Sequence, residues 1–149
     1  MSSQEDSDPC RFGEVCWLEI PVKDPSRALP FYREVFGWDC KDEGLDSKDP
    51  GVMKIFFFSS KGGNTQGCFM HVEPNNFLAT SLAPMNENKE RWAVTTTFAV
   101  ASVDETLRKV EQSGGRVYLP KRAIGGDMGF YGRFVDTEGS VHGVHSMKE

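Results

Sequence analysis

The stretch EVCWLEIPVKDPSRALPFYREVFGW, residues 14–38, contains in succession a strand, a helix and a stop. Glu14 to Val22 is a run with β-branched and aromatic residues, which predicts a strand with both faces largely covered. Asp24 follows as a helix cap, and Pro25 falls at the first helical position, where its missing N–H removes no hydrogen bond. Ala28, Leu29, Tyr32, Val35 and Phe36 recur at helical spacing, so a helix is predicted over 25–36, with Tyr32 as a core residue and Gly37 as the stop. Pro30 is discordant. It deletes a backbone hydrogen bond and crowds the carbonyl four residues back, so a bend or a loosened first turn is expected there.

The same order returns 78 residues later, where Val22, Leu29 and Gly37 are matched by Val100, Leu107 and Gly115. Ala93 to Val100 has the Thr, Val and Phe content of a strand. Ser102 and Glu105 then form a capping box, Val103, Leu107 and Val110 share one face of a helix over 103–112, and Ser113-Gly114-Gly115 supplies a left-handed stop. After each helix, turn-rich clusters divide the chain into three strands. These are predicted at 38–41, 52–59 and 67–73, then at 116–120, 129–135 and 140–146.

Each half therefore reads as βαβββ. Pro74 to Arg91, rich in Pro, Asn and Glu, reads as a linker with one short helical turn over 86–91. The expected division is a tail over 1–12 and a single domain over 13–146, made of modules 13–73 and 92–146 joined by that linker. The fold class is α+β. One such module has a sheet face it cannot bury alone, so two are expected to pack side by side and curve around a shared cleft.

The chain has 149 residues and a net charge of −5, with eleven Phe, three Trp and three Tyr to build one core. That charge leaves no electrostatic footprint for nucleic acid, and no apolar run is long enough to span a membrane. Met1 to Pro9 lacks the basic and apolar regions of a secretory leader. Cys10, Cys16, Cys40 and Cys68 form no C-x-x-C pair, so reduced thiols and a cytoplasmic location are expected.

The paired βαβββ pattern resembles the vicinal oxygen chelate superfamily, which includes glyoxalase I, bleomycin-resistance proteins and extradiol dioxygenases. Val22 to Ala28 followed by Phe31-Tyr32-Arg33-Glu34-Val35-Phe36-Gly37-Trp38 is similar to that family's first strand-to-helix passage. Asp136-Thr137-Glu138-Gly139-Ser140 is similar to its D-P-x-G-N turn, with Thr137 and Ser140 departing from it. The resemblance covers about residues 13–146.

Metal-dependent members place a His or Gln on the first strand of each half and a Glu on the last strand. Carried over by counting from the helix caps, the first-strand positions hold Trp17 and Thr95, the last-strand position holds Gly143, and the fourth falls between Phe69 and His71. Indole and glycine cannot ligate a metal and a lone threonine hydroxyl is a poor ligand, so no cofactor is expected at the family positions. A shifted set remains open. Glu19 lies two residues beyond Trp17 and His145 two beyond Gly143, and with an inward His71 they would make a 2-His-1-carboxylate site for a divalent metal. His142, three residues before His145, points to the opposite face and is read as surface.

The remaining cleft candidates for binding a small-molecule substrate are Trp17, Thr95, Thr97, Tyr131 or its neighbour Phe130, and Arg133, with Glu19 as the candidate general base. The resemblance implies a glyoxalase-like lyase or isomerase acting by proton transfer, or a non-catalytic binding protein of the bleomycin-resistance kind in which acidic residues hold a cationic drug. It also implies a homodimer. Ile55-Phe56-Phe57-Phe58 is the segment that bears on pairing: alternate side chains of a strand point to opposite faces, so about two of the four lie away from the cleft and need cover from a helix, the Pro74 to Arg91 linker or a second copy.

Overall fold

Strand β1, Leu18–Val22, leads into helix α1, Pro25–Phe36, whose Asp24 cap accepts a hydrogen bond from the Ser26 backbone N–H at 3.1 Å. The computed structural model describes residues 11–79 and 93–149. Helix α1 runs unbroken through Pro30 and ends at Gly37, whose φ of 68° is the left-handed conformation that glycine adopts without strain. Pro30 and Ser26, whose carbonyl it leaves without a helical donor, are both exposed, so water can serve that carbonyl and no break is forced.

Strands β2, Asp39–Cys40, β3, Leu45–Asp46, β4, Val52–Ser59, and β5, Gln66–Val72, complete the first module. A short 3₁₀ turn follows at Pro74–Asn76. The second module is β6, Thr97–Ala99, α2, Val103–Gln112, β7, Arg116–Ala123, β8, Phe130–Val135, and β9, Val141–Ser146. The first sheet has the order β1-β5-β4-β2, with β3 paired to β4, and the second has the order β6-β9-β8-β7. First and last strands pair in parallel in both modules and the other neighbours are antiparallel, so the two βαβββ halves share one topology. The fold is α+β, two modules with curved sheets.

Several strand edges differ from the sequence expectation. The first strand starts at Leu18 and not Glu14, because its partner β5 begins at Gln66 and pairs Leu18 with Gly67. The strand expected over 93–100 is confined to Thr97–Ala99 beside β9. Strand β7 extends three residues past Pro120. It is an edge strand whose register shifts between Leu119 and Arg122, and a residue without an N–H is tolerated there. The two-residue β3 was not expected. The helical turn expected over 86–91 and most of the tail over 1–12 lie outside the described residues.

One core joins the modules. Ile20, Val22, Phe58 and Phe69 from the first sheet and Phe98, Phe134 and Val144 from the second belong to one buried cluster with both helices, and Phe98 and Phe134 lie against Phe36 of α1. Helix α1 touches both sides: Tyr32 stacks on Trp38 at 5.2 Å, and Phe31 lies 6.0 Å from Phe134. Alternation along the strands therefore gives each sheet one face on this core and a second, open face turned away from the helices. In Ile55-Phe56-Phe57-Phe58, Phe58 is buried at 4% exposure on the core face while Phe57, at 37%, stands on the open face.

Candidate functional site

The open face of the first sheet is built by register. Glu19, Cys68 and Phe57 are Cα partners across β1, β5 and β4, and Pro21, Met70 and Ile55 form the next row. Trp17, just before β1, lies edge-on to Phe57 with ring centroids 6.0 Å apart. Trp17 is 43% exposed, Glu19 is exposed, and Cys68 lies buried beneath the rings, where burial raises its thiol above the ordinary cysteine range. A cavity of about 230 Å³ opens at the edge of this platform, between Trp17, Phe57, Phe58, Gln66 and Lys41.

The second sheet's open face carries the other predicted binding residues. Thr97, Gly143 and Arg133 are Cα partners in one row, and Tyr131 pairs with His145 in the next. A Cβ on Gly143 would come within 2.6 Å of the Thr97 hydroxyl oxygen, so Thr97 leans over the glycine and occupies the space a side chain there would need. Arg133 donates from Nη1 to the Thr95 hydroxyl at 3.4 Å. Thr95, Thr97, Tyr131 and Arg133 thus share one sheet face, while Trp17 and Glu19 stand on the other sheet.

The shifted metal set is not assembled. Lys54, Val22 and His71 are register partners on the core side of the first sheet, so His71 faces away from Glu19. His71 instead lines a cavity of about 500 Å³ beside α1 with Asp24, Leu29, Arg33, Asp42 and Phe56. His145 is tied to the β7–β8 loop, its Nε2 lying 2.7 Å from the Met128 carbonyl oxygen. At the family positions, Met70 is the residue of the 69–71 stretch on the open face, so the donor set is indole, thioether, hydroxyl and no side chain. That set does not fit a divalent ion, which takes carboxylate, imidazole or thiolate ligands. No group of three His, Cys, Asp or Glu suited to a metal occurs among the described residues.

His142 corrects the surface reading. It does point opposite to His145, but that face is the core: His142 is 7% exposed among Phe98, Phe134 and Tyr32. Tyr32, fully buried, donates its hydroxyl proton to Asp136 Oδ2 at 2.6 Å and lies 3.0 Å from His142 Nε2. Asp136 Oδ1 accepts the backbone N–H groups of Glu138, Gly139 and Ser140, each at 2.9 Å. Burial, with Asp136 adding to it, pushes the Tyr32 hydroxyl well above its ordinary value, so Tyr32 stays a neutral donor. Glu138 is buried as well and reaches α1. None of these roles was foreseen, although an Asp opening a four-residue turn before a glycine is a signal for backbone capping.

The sequence profile of the glyoxalase family, described as the Glyoxalase/Bleomycin resistance protein/Dioxygenase superfamily, matches residues 14–141. A putative glyoxylase of Mycobacterium tuberculosis, CFP32, is 27% identical over 134 residues, covering 90% of this chain and 46% of the relative. The chain thus spans about half the length of that protein. Among solved structures, the fosfomycin resistance protein FosX of Listeria monocytogenes, complexed with Mn(II) and a dihydroxypropylphosphonic acid, superposes with a TM-score of 0.61 at 19% identity, covering 91% of this chain and 90% of that one. TnmS3, an antibiotic binding protein of Streptomyces, superposes with a TM-score of 0.56 at 20% identity, covering 92% and 98%. These two establish likeness of fold. With the profile matched over most of its length, the chain belongs to the glyoxalase/bleomycin resistance protein/dioxygenase superfamily.

Proposed function

We propose that this protein is a small-molecule binding protein of the bleomycin-resistance kind, and that the first sheet's open face takes a planar, amphipathic ligand. One observation carries the reading: Trp17 and Phe57, an edge-on aromatic pair, remain more than a third exposed beside the carboxylate of Glu19. Exposed aromatic rings in contact supply a stacking platform worth about 1 kcal/mol per ring pair beyond area burial, and an adjoining carboxylate selects a cationic end. The likeness in fold to an antibiotic binding protein supports this class without naming the ligand. Thr95, Thr97, Tyr131 and Arg133 are the polar partners we assign to the second sheet's open face.

A second reading, a lyase or isomerase, is favoured by the position of Glu19 in one row with Cys68 and Phe57, where a carboxylate adjoins the platform and would move the proton. No metal takes part in either reading, because the donors at the family positions do not suit one. A homodimer is proposed for the exposed apolar side chains Leu45 and Met53 on β3 and β4, which a second copy would cover while leaving the Trp17 and Phe57 platform open. The free thiols of Cys16, Cys40 and Cys68 support a cytoplasmic location.

Calorimetric titration with berberine, a planar aromatic cation, and with 2-naphthoate, a planar anion, tests the binding reading. Berberine is expected to bind, with affinity falling about tenfold in Trp17→Ala and about threefold in Glu19→Gln, while 2-naphthoate binds more weakly. Equal affinity in wild type and both variants would remove the platform from the site. For the enzyme reading, Glu19→Gln abolishes turnover and leaves affinity largely intact.

A further inference from the structure

We propose that His142 is a proton-operated catch between the two modules: uncharged, it holds Tyr32 of α1 against the second sheet, and on taking a proton at Nδ1 it releases that contact. The geometry fixes its resting state. Tyr32 has one hydroxyl proton, which goes to Asp136 Oδ2 at 2.6 Å, so His142 Nε2, at 3.0 Å, must be the donor to the hydroxyl oxygen. Nδ1 is then the basic nitrogen. It is buried with no hydrogen-bond partner among the described residues, so a proton arriving there becomes a buried N–H without an acceptor.

Every element packed on the ring bears on the outcome. Strands β6 and β8 present Phe98 and Phe134, with ring centroids 5.4 and 5.5 Å from His142. Helix α1 presents Tyr32, and beyond it Arg27, which is held by Glu138. The β8–β9 turn presents Asp136, whose Oδ2 is 4.0 Å from Nε2, and β2 adds the Cys40 thiol near Tyr32, which burial keeps protonated at about 11. Asp136 attracts an imidazolium, but its oxygens are already taken by three backbone N–H groups and the Tyr32 hydroxyl. Burial outweighs that attraction and holds His142 below the ordinary histidine range.

A group that resists its proton in the folded state contributes stability above the ordinary histidine value, and that contribution is lost as pH falls below it. The catch therefore opens as pH falls below the ordinary histidine value. Glu138 still clamps α1 in that window, so the expected event is loosening of the Tyr32 contact and not global unfolding.

Thermal melting of the full chain from pH 7.5 to 5.5, alongside the same series for His142→Gln, reads this directly. Wild type is expected to lose about 4 °C, the scale of a tenfold loss in folding constant at this length, while His142→Gln stays within about 1 °C. His71 and His145, which are half-buried, remain in the variant and serve as the internal control. An equal fall in both proteins would overturn the proposal. A measurement on wild type needs no variant: imidazole ¹⁵N shifts report His142 protonation while hydrogen exchange, corrected for intrinsic rate, reports α1. A common midpoint supports the catch, and protonation with unchanged α1 protection contradicts it.

Discussion

Glu138 and Arg27, 111 residues apart in sequence, meet across the two modules, with Nε of Arg27 at 2.7 Å from Oε2 and Nη2 at 3.0 Å from Oε1. The same Oε1 accepts the backbone N–H groups of Lys23 and Asp24, each at 2.8 Å, and Oε2 accepts the Thr137 hydroxyl. Glu138 is only 2% exposed, whereas the Arg27 side chain is 48% exposed, so solvent screens the ion pair more than it does the amides. The carboxylate is foremost a cap that fixes the entry of α1 from the other module.

Removing that cap leaves two backbone donors without a partner at a buried junction. Glu138→Ala is expected to cost about 3 kcal/mol in urea unfolding, and Arg27→Ala about 1 kcal/mol or less, because the amides keep their acceptor. Equal costs would assign the energy to the ion pair.

The acid limb of stability follows from the same contacts. Burial alone would raise the Glu138 carboxyl, but the hydrogen bonds from Arg27, the Asp24 amide, Thr137 and the Lys23 amide bring it below the ordinary glutamate range. A carboxylate so lowered contributes stability above its unfolded value, and that stability is lost as pH falls through the folded one. Wild type should therefore lose stability below about pH 4.5, and Glu138→Gln, less stable at neutral pH, should show a shallower fall.

Neighbours in one strand separate folding from binding. Phe58→Glu puts a charge into the core beside Trp38, whose ring stacks on it at 4.6 Å, and is expected to unfold the chain. Phe57→Glu alters only the open face, so the chain stays folded and the affinity measured by calorimetry changes. Light scattering of the wild type tests the proposed dimer, which a mass of one chain at every concentration would reject.

Gly143 gives a test of the second sheet. Gly143→Ala brings its Cβ against the Thr97 hydroxyl and is expected to cost about 1–2 kcal/mol, while adding Thr97→Ala should restore most of that loss. A strictly additive pair would mean the two side chains do not share that space.

Helix boundaries and the repeat were legible because caps, glycine stops and apolar spacing are local signals. The His142 environment was not: parity on β9 says that it opposes His145, but both faces of that strand are partly covered, and only the placement of α1 decides which is core. Glu19 and His71 read as one site in the sequence because the turn length before β5 leaves their relative parity open. Glu138 gave no signal, since its partners Lys23, Asp24 and Arg27 lie in another module. The Trp17 and Phe57 platform was half legible, with Trp17 chosen from the repeat and its ring partner set by the β4–β5 register.

The central claim is that ligand is held on the first sheet's open face, and an amide and indole shift map of the ¹⁵N-labelled protein titrated with berberine tests it most directly. The account predicts that the Trp17 indole and the amides of Glu19, Phe57 and Cys68 move together with one saturating constant, while those lining the cavity beside α1 stay fixed. Shifts confined to Ser26, Leu29, Arg33 and His71, with Trp17 unmoved, would contradict it.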